Sequence, residues 1–91
     1  MSYLVDDAIR AYPFRVPIDN SDRLVDGLVS LYEWGVDVLV PRLATSHQGT
    51  TYQHNTGVLI QHLRHSRTRR SRVDHLLFAN EEEAALFRIT S

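Results

Sequence analysis

The sequence predicts a small α+β domain in which helices cross between short strands, and three observations carry that prediction. A capped amphipathic segment at residues 21–34 sits between two short apolar, partly β-branched runs. A long polar stretch, 41–57, divides the chain. After it, an apolar run at 73–79 leads straight into a segment headed by three glutamates.

The totals fit one domain, residues 1–91. A chain of this size buries only about 60–65% of the surface exposed when unfolded, so its core is thin. There is no cysteine, which excludes a disulfide framework and a thiolate metal site. The opening MSYLVDDAIRAYPFRV lacks the basic end and apolar run of a secretory signal. No apolar stretch approaches the roughly 20 residues that cross a bilayer. The expected location is cytoplasmic.

Taken in order, residues 1–8 read as a loose terminus, because Asp6 and Asp7 interrupt the apolar start. Residues 9–18 suit a short strand that Pro13 and Pro17 confine to a sheet edge, since neither can donate to a ladder. Asn20, Ser21 and Asp22 supply capping oxygens and early negative charge. Leu24, Leu28, Leu31 and Tyr32 then share one helical face, widened by Val25 and Val29. Gly35 stands where a left-handed helix end belongs, and residues 36–40 form a β-branched strand bounded by Gly35 and Pro41.

The pattern then dissolves into a polar connection, 41–57, rich in threonine and histidine, which reads as an exposed arm. Residues 58–63 fit a helix capped by Asn55 or Thr56, with Leu59, Ile60 and Leu63 on one face; a strand with Val58, Ile60 and His62 aligned is the alternative. A second exposed connection spans 64–72. Residues 73–79 read as a buried strand. Asn80 and Glu83 then make a capping box around a helix of two turns, and residues 87–90 read as a last short strand. Together the elements predict a ferredoxin-like split β-α-β sandwich with an enlarged polar insertion between its central strands. The ending HLLFANEEEAALFRIT resembles the endings of small phage-encoded α/β proteins of unassigned role. That likeness implies a viral origin and a location in the host cytoplasm or virion, and it carries no functional residue.

All ten basic residues are arginine. Between His62 and His75 the chain reads HLRHSRTRRSRVDH, a window of charge +4 in a protein of net charge −1, which leaves −5 for the remainder. Arg64, Arg67, Arg69, Arg70 and Arg72 are therefore the first candidates for partner contact. They suit an acidic protein surface or self-association, as in phage assembly; phosphates of a nucleic acid are the alternative partner. The one aromatic near them, Phe78, reads as core and offers no stacking platform. Trp34, at a helix end and off the apolar stripe, is a second candidate anchor. Tyr52 and His54, on the polar arm, are further candidates.

Catalysis and cofactors find little support. His62 and His65, three apart, could share a metal with His75 or Asp74, but no tight ligand motif accompanies them. Ser46 and His47 are adjacent, and adjacent side chains on an extended chain point apart. Capping explains the triple glutamate, and the four glycines are isolated. The expectation is a non-enzymatic interaction module with no metal, no cofactor, no small-molecule substrate and no membrane contact.

Overall fold

The computed structural model describes residues 2–42 and 51–90. The chain forms β1 (Ser2–Leu4), α1 (Val5–Ala11), β2 (Phe14–Pro17), a 3-10 turn (Ser21–Arg23), α2 (Leu24–Glu33) and β3 (Val38–Arg42). These are followed by β4 (Thr51–His54), α3 (Gly57–His65), α4 (Arg67–Ser71), β5 (His75–Phe78) and α5 (Glu81–Thr90). One five-stranded sheet has the order β1-β4-β3-β5-β2, with every neighbouring pair antiparallel.

The α+β class is therefore present, while the strand order departs from the ferredoxin-like arrangement. β2 and β3 are both antiparallel to β5 and hence parallel to each other, joined by α2 across one intervening strand. In the same way β4 and β5 flank β3 and are joined by α3 and α4. A ferredoxin-like sheet would place β4 between β2 and β3; here β5 fills that gap. The element string alone allows either strand to do so. Each choice leaves two split β-α-β crossovers, and only the tertiary pairing separates them.

Sheet residues alternate between two apolar clusters, as the period of two requires. Val16, Val38, Val40, Leu76 and Phe78 face α2, α3 and α5, meeting Leu24, Leu28, Leu31, Leu59, Ile60, Leu63 and Phe87. The other face carries Leu39, Tyr52 and Leu77, covered by Ala8 and Tyr12 from α1 and the turn after it. Among the described residues the fold thus has three unequal layers, with α1 the single helix on one side.

Local chemistry explains most of the boundaries. Asn20 accepts the Asp22 N–H at 2.9 Å and starts the 3-10 turn that leads into α2. At the far end Gly35 adopts φ +72°, while Val36 N–H reaches Leu31 O and Gly35 N–H reaches Tyr32 O. Those two bonds define a Schellman end, and they carry Val36 onto the core. Pro17 lies in β2, an edge strand, where a missing donor costs little. Pro41 lies in β3, which has neighbours on both sides. Asn55 N–H donates to Val38 O, so by the antiparallel alternation position 41 directs its amide position away from β4. On that other side the pairing with β5 ends at Leu39. Proline therefore stands just past the point where a donor is needed.

Four expectations need correction. Residues 2–4 are an edge strand paired with 51–53, and residues 5–11 form a helix whose Ala8 is fully buried; the terminus is not loose. The strand expected over 9–18 is confined to 14–17, because α1 runs through residue 11. The arm expected over 41–57 contributes residues 41–42 to β3 and 51–54 to β4, and Tyr52 is only 5% exposed; the remainder of its centre, 43–50, with Ser46 and His47, lies outside the described residues. The short helix after Asn80 does not give way to a strand: α5 continues through Thr90, with Ala84 and Phe87 one turn apart on its buried face. Among the described residues no helix is long and apolar enough to cross a membrane.

Candidate functional site

The arginine segment is helical and held at three points. Thr56 accepts the Leu59 N–H through Oγ1 at 3.2 Å and starts α3. Leu59, Ile60 and Leu63 turn into the core, so the 3.6-residue period turns Val58, Gln61, His62 and His65 outward. Ser66 breaks the helix with an extended backbone, and its Oγ accepts the Arg69 N–H at 3.3 Å to start α4. Buried Val73 anchors the exit. Repulsion among the guanidinium groups of so short a helix is thus opposed by one cap and two apolar anchors, Leu63 and Val73.

Arg64, Arg67, Arg69 and Arg72 are exposed and Arg70 is half-buried. None of the five forms a salt bridge among the described residues. Arg64 sits in the last turn of α3 beside His62 and His65, where positive charge opposes the negative end of the helix dipole. Along the outer face of α3 lies a shallow open hollow of about 560 Å³, lined by Val58, Gln61, His62, His65, Ser66 and Arg69. Its floor is mixed, with Val58 70% exposed at one end and the Arg69 guanidinium at the other.

The other candidates lie elsewhere. Trp34 is half exposed, at 49%, but it closes the C-terminal end of α2, whereas α4 packs against the 3-10 turn that precedes α2. A helix of ten residues, roughly 15 Å of axis, separates them. Tyr52 and His54 are on the opposite face of the sheet, so neither shares a surface with the arginines.

That opposite face holds two polar chains which the sequence does not reveal as units. The Tyr12 hydroxyl donates to Asp37 Oδ2, and Asp37 Oδ1 lies 2.8 Å from His54 Nδ1. Tyr12 also meets the His54 ring edge-on, with centroids 6.2 Å apart. In the second chain Tyr52 Oη lies 2.7 Å from His75 Nε2, and His75 Nδ1 contacts Asp74 Oδ1. An ionised carboxylate can only accept, so in a neutral His75 the proton resides on Nδ1 and Nε2 accepts from the Tyr52 hydroxyl. The His75 contact holds Asp74 below the ordinary carboxylate range, with Arg15 adding to the effect. Burial pushes the Tyr52 phenol up; Arg15 opposes the shift and Asp74 adds to it.

Such a chain could pass a proton from Tyr52 toward the exposed Asp74 carboxylate. Tyr52 and His75 are, however, 5% and 8% exposed, and the hollow beside α3 lies across the sheet from them. The chain therefore satisfies buried polar groups. Among the described residues no cluster of three or more histidine, aspartate and glutamate side chains is placed to hold a metal. His62 and His65 face outward from α3, while His75 is on the α1 side of the sheet, so the three do not converge. No protein-family model, no curated protein and no solved structure matches the chain.

Proposed function

We propose that this protein is a non-enzymatic interaction module that docks on an acidic protein surface through the α3–α4 elbow. The observation that carries the reading is a set of five guanidinium groups, Arg64 to Arg72, with no carboxylate partner among the described residues. Arginine is suited to that task, because its planar fork pairs with carboxylates in two-point contacts and is weakly hydrated. The mixed floor beside α3, with Val58 at one end and Arg69 at the other, fits a protein surface better than a phosphate backbone. Single-stranded nucleic acid would also call for an aromatic stacking platform beside the arginines, and Phe78 is fully buried.

The triple substitution Arg67→Ser, Arg69→Ser, Arg70→Ser tests the reading. Stability should change by no more than about 0.5 kcal/mol at each of the exposed positions Arg67 and Arg69, and by somewhat more at half-buried Arg70, whose stem loses packing. Capture of an acidic protein from the native source should be lost, through slower association and a weaker dependence on salt. An unchanged set of captured proteins overturns the proposal. Co-purified nucleic acid that raises absorbance at 260 nm and leaves in high salt assigns the same arginines to phosphates instead.

A further inference from the structure

The helix α5 carries a surface complementary to the hollow beside α3. Its buried side holds Ala84 and Phe87, which leaves Glu82, Leu86 and Ile89 along the outer stripe. Glu82 makes no salt bridge among the described residues, and Ile89 is 82% exposed. The stripe is acidic at its start and apolar at its end. The α3 hollow is its complement in reverse order, apolar at its start with Val58 and basic at its end with His65 and Arg69. Seven positions separate Glu82 from Ile89, and seven separate Val58 from His65, so each stripe spans about 10 Å at 1.5 Å per residue.

We propose that the elbow's partner is a second copy of this chain, whose α5 lies antiparallel in the α3 hollow. This rests on the docking reading above and names its partner. Ile89 of one copy then covers Val58 of the next, Leu86 lies along His62, and Glu82 meets His65 and Arg69. Reversing the direction would bring Glu82 onto Val58 and Ile89 onto Arg69, burying a carboxylate against an apolar side chain. The contact cannot close within one molecule, because α2 packs against both α3 and α5 and their outer stripes face away from it. Two different patches meet, so the association is head-to-tail. It grows into a ring or a filament rather than stopping at a two-fold dimer.

Sedimentation velocity at low salt, with protein concentration raised into the high micromolar range, should show progressive assembly that high salt reverses. Arg69→Glu alone and Glu82→Arg alone should each weaken assembly by at least about tenfold, since like charges then face each other. Mixing the two variants should restore it, because the reversed hollow accepts the reversed helix and the two native patches still match. Circular dichroism melts matching wild type establish that each variant is folded. A wild-type chain that stays monomeric overturns the self-pairing but leaves docking on a foreign acidic protein standing. Single variants that assemble normally, or a mixture that fails to assemble, also overturn it.

Discussion

At Gly27 one missing carbon determines how two helices meet. A Cβ built there would lie 2.8 Å from Phe87 Cε1 and 3.4 Å from Cζ. The Phe87 ring is itself buried and stacked at a tilt on Phe78, with centroids 5.6 Å apart, so it has little room to swing. Replacing glycine by alanine inside a helix ordinarily adds stability of up to about 1 kcal/mol, whereas overpacking a core costs roughly 1–3 kcal/mol. The second effect should prevail here. Gly27→Ala is expected to lower the melting temperature, and pairing it with Phe87→Leu should recover part of the loss. A rise in melting temperature for the single variant would show that α2 and α5 part freely. From the sequence this glycine reads only as a mild flaw in a helix, because the ring that needs the space is 60 positions away.

At the scale of elements, legibility followed the strength of the local signal. The helix at 21–34 was readable because its apolar stripe, its Asn20 cap and its Gly35 end all agree. The same holds for α3, where Thr56 and the Leu59–Ile60–Leu63 face coincide, and for β5, whose four residues are all buried. The segments that misled lack such agreement. In α1 the side chain at its buried centre is Ala8, too small to leave a periodic mark. In β4 only Tyr52 is fully buried, so the strand hides in a polar run. Phe87 and Ile89 favour strands by propensity, yet Phe87 continues α5 because the Gly27 notch receives its ring. The polar chains of the α1 face are assembled from β4, β5, the residues leading into β3 and β5, and the turn after α1, and no stretch of sequence contains one. Of the candidate site, the arginines were legible as charge, but the hollow beside α3 depends on which way that helix faces. Leu28 offers a direct measure of the best-read element. It is fully buried at the middle of α2, so Leu28→Ala should cost about 2–5 kcal/mol. A urea midpoint within error of wild type would mean that α2 does not close the core.

Over the whole molecule, the Tyr52–His75–Asp74 chain ties stability to pH at both extremes. The folded state holds the Tyr52 proton more tightly than the unfolded chain does, chiefly because burial disfavours the phenolate. Its contribution is therefore complete below pH 10, about the value of a free phenol. It is lost as pH rises through the higher folded value. Asp74 behaves in the opposite sense. Its carboxylate is favoured in the folded state by His75, so its contribution is present above the usual carboxylate range and disappears as pH falls through the lowered value. Asp74 is largely exposed, and solvent keeps that acidic effect small. The alkaline effect should dominate, since Tyr52 lies under α1. Tyr52→Phe keeps the ring but leaves His75 Nε2 without its donor, which should cost about 1–3 kcal/mol near neutral pH. The variant has no phenol to ionise at this position. Its urea midpoint should consequently fall less steeply than that of wild type above pH 10, and the two curves should converge. The protein's other three tyrosines are common to both chains, so their ionisation cancels in the difference. Parallel curves across the alkaline range would show that Tyr52 titrates as freely in the folded protein as in the unfolded one, and that α1 does not seal this face of the sheet.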